Sequence, residues 1–233
     1  MLWVQNASKS FTLHVQRGAR VEALAGVSLT VAAGEAVVLA GPSGSGKSSL
    51  LRMIYGNYAC APGIISILHQ GQRVDMGEAN ARLIREIRRV TAGYISQFLR
   101  VLPRVPALDV VAEPLIARGA TEAAARSRAA EILTRLSIRE ELWPLSPVTF
   151  SGGEQQRVNV ARGFCAFYPL MLLDEPTASL DAVNRDTVMA LIEEAKAQGA
   201  AVLGIFHGEG VRNRVATHIY EMPRRPAELQ TGL

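Results

Sequence analysis

The chain has 233 residues, 25 Lys+Arg against 21 Asp+Glu, and a hydrophobic fraction of 48%. It is long enough for a large buried core and too apolar for a disordered segment, and its net charge of +4 gives no sign of a nucleic-acid face. The two cysteines, Cys60 and Cys165, are far apart, which excludes a disulfide scaffold or a cysteine-rich zinc site and fits a reducing cytoplasm.

The opening residues, MLWVQNASKSF, lack a cationic start followed by an apolar run, so no signal peptide is expected. No stretch reaches the ~18 apolar residues of a membrane span, so direct membrane insertion is not expected either. Residues 2–5 and 11–15 read as short strands, and Val27–Val31 alternates. Val37–Ala40 is fully apolar, as in a buried parallel strand. Ser48–Tyr55 carries Leu50, Leu51 and Ile54 at helical spacing. Gly63–Leu68 and Gln72–Asp75 suggest two strands around a His69-Gln70-Gly71 turn. Ala79–Val90 is a charged helix, and Gly93–Ser96 returns to strand. From Leu108 to about Leu145 the pattern is helical. Its clearest piece has Thr121 as N-cap and a stripe of Ala125, Ala129, Ile132, Leu133 and Leu136. Helix is expected over Gly152–Phe164 and Asn184–Gln198, and strand over Leu170–Leu173 and Ala201–Phe206. The tail after Met222 is polar and reads as loosely held. Strands alternating with helices imply an α/β fold with a mostly parallel sheet. The middle, about 98–148, reads as an inserted helical subdomain within a single domain of residues 1–233. Segments 1–97 and 149–233 then supply the α/β core and its β region.

Residues 41–48, Gly41-Pro42-Ser43-Gly44-Ser45-Gly46-Lys47-Ser48, match G-x-x-x-x-G-K-[ST] between an apolar strand and a helix, with Ser49 following. The glycines let successive backbone N–H groups turn inward around phosphate oxygens, and the helix N-terminus adds positive potential. Lys47 can reach the β- and γ-phosphates, and the Ser48 hydroxyl can ligate Mg²⁺. The apolar strand Leu170–Leu173 ends in Asp174-Glu175. After an isolated strand such a pair would be a solvated turn. After a phosphate loop, Asp174 suits Mg²⁺ and Glu175 suits the general base that polarises the attacking water. Ser151-Gly152-Gly153-Glu154 opens a further helix and offers a second anion site. Two such ends in one chain suggest an ATP-dependent head-to-tail dimer, in which the loop of one subunit and Ser151 of the other enclose one ATP.

The order of Gly41–Ser48, Gln97, Ser151–Gln155, Leu170–Glu175, Ser179-Leu180-Asp181 and His207 resembles the nucleotide-binding domain of the ABC ATPases over nearly the whole chain. That resemblance implies a phosphate-loop NTPase fold of the ABC type, with an N-terminal antiparallel β region and an inserted helical subdomain. It also implies ATP and Mg²⁺ as cofactors. By the same resemblance Gln97 contacts Mg²⁺ and the attacking water, His207 contacts the γ-phosphate, Asp181 links the two ATP sites, and Phe11 stacks on adenine. Phe11 reads equally as a strand residue. The chain departs from the commoner pattern at Phe150, at Glu154 and at Gly208, which separates His207 from Glu209.

Several segments outside the core motifs resemble the L-component family of bacterial phosphonate carbon–phosphorus lyase systems. They are Val4–Asn6, Lys9–Phe11, Gly93–Val101, Thr149–Gly163 and Gly204–Asn213, with Gly163 a particular detail. That resemblance implies a cytoplasmic ATPase that supports formation of α-D-ribose 1-methylphosphonate 5-triphosphate from ATP and methylphosphonate. Its partners would be other lyase subunits, and it would pair with itself or with a related ABC chain. The alternative is the ATPase of a membrane transporter of lipoprotein-release or efflux type. Transporter ATPases receive their membrane partner at the segment after Gln97, here Phe98-Leu99-Arg100-Val101-Leu102-Pro103, where Phe98 and Leu99 read equally as internal packing.

Overall fold

The computed structural model describes residues 1–13, 19–60, 62–99 and 103–223. The tail from 224 onward, the end of the expected 11–15 strand and most of the 100–103 segment lie outside those residues.

Strand β1 (Leu2–Leu13) pairs antiparallel with β2 (Ala19–Val31). Its other edge pairs with β4 (Ile64–His69), which turns into β5 (Gln72–Asp75). The four form an antiparallel sheet in the order β2-β1-β4-β5. A single strand thus replaces the separate pieces expected at 2–5 and 11–15, and β2 begins well before Val27. The reason is a set of register shifts between Val4 and Ser10, with Asn6 at φ 49 and Gly26 at φ 59. There the side chains of Ser28 and Ser8 accept from the N–H groups of Asn6 and Gly26, which hides the strand from a period-two pattern. The β4–β5 turn is tighter than expected, because His69 still pairs with Gln72 and only Gln70 and Gly71 take positive φ.

The second sheet has the order β6-β7-β8-β3-β9 and is parallel throughout. Its strands are β3 (Ala36–Ala40), β6 (Ala92–Ile95), β7 (Leu170–Asp174), β8 (Ala201–Ile205) and β9 (His218–Glu221). Strands β3, β7 and β8 are buried at every residue because both faces are covered. Val37, Leu39, Leu170, Leu172 and Leu203 face a core shared with β1, β4 and helix α1 (Lys47–Ile54). Ala36, Val38, Met171, Leu173 and Val202 face the other helices. Those are α3 (Ala107–Ile116), α4 (Glu122–Arg135), α5 (Gly152–Cys165) and α6 (Ala182–Ala197). Helix α2 (Ala81–Val90) precedes β6, and α7 (Glu209–Val215) precedes β9.

The helical stretch from Leu108 resolves into α3, α4 and two 3-10 turns at Glu140–Leu142 and Pro147–Thr149. The expected stripe of α4 is fully buried, and Thr121 Oγ1 accepts from the Ala124 N–H at 3.3 Å. Trp143 is a packing residue whose indole donates to the Ile138 carbonyl at 3.0 Å. Cys165 is in the core, and burial pushes its thiol up to about 11, which leaves it unreactive at neutral pH. Neither α7 nor β9 is marked by a hydrophobic pattern in the sequence. β9 is an edge strand with His218, Ile219 and Glu221 exposed, so it carries no apolar run. Among the described residues no helix is long and apolar enough to cross a membrane.

Candidate functional site

Four neighbouring parallel strands end at one edge of the sheet, and each delivers part of the site there. β6 leads to Gln97, β7 to Asp174 and Glu175, β8 to His207, and β3 to the loop at 41–48. Ligands of open α/β sheets bind at this carboxyl edge.

The loop turns through Gly41 (φ 135), Gly44 (φ 78) and Gly46 (φ 90). At Gly46 an added Cβ would sit 2.2 Å from the Ala23 carbonyl oxygen, so both φ and space require glycine. Ser43 and Gly44 are exposed, and Ser45 is buried beneath them. Gly46 caps α1 with no side-chain hydrogen bond, and the first turn holds no acidic residue. The first N–H groups of α1 are therefore free of a competing side-chain carboxylate and suit an anion. Leu50 and Leu51 anchor the helix behind the loop; full burial of such a side chain is worth roughly 1.5–3 kcal/mol. Lys47 Nζ donates to the Gly41 and Pro42 carbonyls, both at 2.8 Å, and lies 3.4 Å from Ser45 Oγ. Burial lowers the Lys47 ammonium, and the Glu175 and Asp174 carboxylates pull it back up.

Asp174 is buried at the end of β7. Its Oδ1 accepts from Ser48 Oγ at 2.9 Å and its Oδ2 from the Tyr94 hydroxyl at 3.0 Å. Ser49 is half-buried in the first turn of α1. A hydroxyl beside a carboxylate, under a loop of backbone donors, fits a nucleotide-bound Mg²⁺, an ion that keeps water and phosphate oxygens in its shell. Among the described residues no group of three His, Cys, Asp or Glu side chains forms a separate metal cage.

Glu175 stands one residue beyond the strand at φ 56, a conformation that non-glycine residues rarely adopt, and its N–H donates to the Ile205 carbonyl at 3.1 Å. Gln97 Nε2 donates to Glu175 Oε2 at 3.1 Å, and His207 Nε2 lies 2.6 Å from Oε1. The three residues, each named as a candidate from the sequence, come together here. Two supports were not foreseen. Gln156 donates to the Glu175 and Pro176 carbonyls, at 3.4 and 3.1 Å, and Asn159 donates to the Ser96 carbonyl at 2.6 Å. Both lie on α5, one and two turns beyond Ser151, and only their distance from the exposed helix start could have marked them as buried polar residues.

Ser151, Gly152, Gly153 and Glu154 are at the start of α5. Ser151 forms a capping box with Glu154. Its Oγ donates to Glu154 Oε2 at 2.6 Å, and its N–H donates to the same oxygen at 3.0 Å. These hydrogen bonds hold the Glu154 carboxyl below the usual carboxylate range. Gly153 is close to the chain after Glu175: a Cβ there would meet the Ser179 carbonyl at 3.2 Å. Asp181 caps α6, with Asn184 donating its N–H at 2.8 Å. Among the described residues no hydrogen bond joins Ser151 or Asp181 to the loop at 41–48. Phe11 pairs with Val21 of β2, two residues before the Ala23 carbonyl that touches Gly46. Its ring meets Tyr58 edge-on at 5.2 Å, and the Lys9 ammonium is 5.6 Å from its centre.

Beside Gln97 a groove of about 490 Å³ is lined by Arg52, Tyr55, Tyr58, Tyr94, Phe98 and Arg162, among others. Phe98 is 72% exposed there, while Leu99 packs on the helical core.

A strand–loop–helix phosphate site with carboxylates at the end of β7, on the same sheet edge, defines a phosphate-loop nucleotide-binding protein. The family model described as ABC transporter matches residues 24–178, and the chain belongs to that family, with the cassette fold the motifs implied. It is 38% identical over 223 residues to the lipoprotein-releasing system ATP-binding protein LolD of Maricaulis maris, covering 94% of this chain and 89% of the relative. It is 33% identical to the glutamine transport ATP-binding protein GlnQ of Escherichia coli, covering 94% and 86%. It is also similar to the dimeric structure of MJ0796, a bacterial ABC transporter cassette, at TM-score 0.86 and 28% identity over 95% of this chain and 94% of that one. A post-hydrolysis dimer of MJ0796 bound to ADP and Pi superposes with TM-score 0.85 and 30% identity, over 95% and 94% of the two chains.

These relatives overturn the expectation that the chain serves phosphonate breakdown with lyase subunits as partners. They are named for transport over almost their full length, and they favour the alternative reading. The structure explains why one detail misled. A Cβ at Gly163 would lie 2.3 Å from Ile95 Cγ1, so glycine there follows from α5 packing on β6. It is a local steric requirement, with no bearing on which system the ATPase drives.

Proposed function

We propose that the chain is the ATP-hydrolysing subunit of a membrane transporter of lipoprotein-release or efflux type, acting as a head-to-tail pair. The observation that carries the hydrolytic part is the Gln97–Glu175–His207 cluster at the sheet edge. Lys47 exchanges its loop carbonyls for phosphate oxygens, and the N–H groups of the loop and of α1 complete the cradle. Ser48 and Asp174 hold Mg²⁺, with Gln97 nearby; the ion supplies charge neutralisation at the phosphates. Glu175 accepts the proton of the water that attacks the γ-phosphorus, so ATP and water yield ADP and phosphate. Gln97 and His207 hold its two carboxylate oxygens from opposite sides and fix the direction in which it accepts. Phe11 serves the adenine. Ser151, with Gly152, Gly153 and Glu154, closes the site of the partner cassette, and Asp181 lies between the two sites of the pair.

Transport rests on the full-length likeness to LolD and GlnQ. The groove beside Gln97, with exposed Phe98, is where a membrane partner would dock. Purification from native membranes in mild detergent, with mass spectrometry of the chains that co-purify, tests this. An integral-membrane permease is expected. Recovery with soluble partners alone would reject the transporter reading.

A further inference from the structure

Asp174 is held by two hydroxyls, and only one belongs to the phosphate-loop machinery. The other is that of Tyr94, from the neighbouring strand β6. Tyr94 lines the groove beside Gln97, while its hydroxyl reaches the buried carboxylate. Its ring packs against Tyr55 with centres 5.1 Å apart. The guanidinium of Arg52 lies beside the hydroxyls of both Tyr94 and Tyr58, which favour its charged form. Ser48, Arg52 and the C-cap residue Tyr55 are spaced by four and three residues, so they follow one face of α1 to its C-terminal end. Its first turn meets Asp174 and its last turn meets the groove.

We infer that Tyr94 is a positioning residue that fixes the Asp174 carboxylate for the metal. The inference rests on Asp174 as the metal ligand. A carboxylate with a donor on each oxygen has one orientation, and its remaining lone pairs point in set directions. Removing the Tyr94 donor leaves Oδ2 buried and less satisfied, and the side chain is free to turn about the Ser48 contact.

The test is the ratio of fluorescent-ATP affinity in Mg²⁺ to that in EDTA, measured in a Glu175→Gln background so that nothing turns over. Tyr94→Phe keeps the ring and is expected to lower the ratio about ten-fold, the scale of losing a hydrogen bond to a metal ligand, with EDTA affinity unchanged. Arg52→Met is expected to lower it two- to three-fold, and to add nothing in the Tyr94→Phe protein. If Tyr94→Phe leaves the ratio intact while Asp174→Asn collapses it, Asp174 is the metal ligand and the proposed link is wrong. If Asp174→Asn also leaves it intact, the metal assignment itself fails. An equal loss in Mg²⁺ and EDTA would mark Tyr94 as structural and overturn the link.

Discussion

The phosphate loop at 41–48 and the helix start at 151–154 both present backbone N–H groups at a helix N-terminus, yet they are finished to different degrees. The α1 terminus has no side-chain cap and no acid in its first turn, and Lys47 stands beside it. The α5 terminus is already occupied by its own Glu154, which accepts from both the N–H and the hydroxyl of Ser151. The first end is ready for an anion within one chain. The second must give up a charge-assisted contact before Ser151 can serve a phosphate. In the head-to-tail pair proposed above, that asymmetry would let one chain bind a nucleotide by itself and leave closure of the site to a second cassette, which would provide a gain to offset the exchange.

Three substitutions would break or sharpen this contrast. Glu175→Gln removes the base and none of the binding groups. A fall in kcat of about 10²–10⁴-fold is expected, with ATP affinity retained, and steady-state phosphate release beside nucleotide titration measures both. Equal turnover would remove Glu175 from its role. Lys47→Ala strikes the ready end. Loss of a charge-assisted hydrogen bond is worth about 1.5–3 kcal/mol, so nucleotide affinity should drop roughly ten- to a hundred-fold by calorimetry. Unchanged affinity would mean that the backbone donors alone suffice. Ser151→Ala strikes the capped end. In the Glu175→Gln background with Mg-ATP, sedimentation should show self-association weakened by about ten-fold, with ATP binding to the single chain unaffected. The lost cap costs roughly 1 kcal/mol, so the melting temperature should fall by about 2–4 °C. A dimer as tight as the parent would place the second anion site elsewhere.

Much of the site was legible because its chemistry demands residue types at fixed spacing. A phosphate loop needs glycine where the backbone turns and lysine at the helix start, and a short buried strand must end in its carboxylates. Gln97, Glu175 and His207 are far apart in the chain, and the roles of Gln97 and His207 came only from the family resemblance. Tyr94, Gln156 and Asn159 were not legible. A tyrosine in a strand reads as packing, and amides inside a helix read as surface. Only the distances of 3.0, 3.1 and 2.6 Å to Asp174, Pro176 and Ser96 reveal their work. The system served was misread for a related reason. The detail at Gly163 answers to its packing against Ile95 and not to the system the ATPase drives.

The sequence by itself determined the phosphate loop, the carboxylate strand and the helical stripe of α4, because each is a local pattern with a single good burial. The tertiary structure decided the register-shifted β1–β2 pairing, the exposed edge strand β9 and the second donor on Asp174. Each depends on a neighbour distant in the chain: Ser28 and Ser8 at the bulges, β3 beside β9, and Tyr94 beside β7. Local hydrophobic period records which face is buried, and it carries no information about which polar atom waits on the far side.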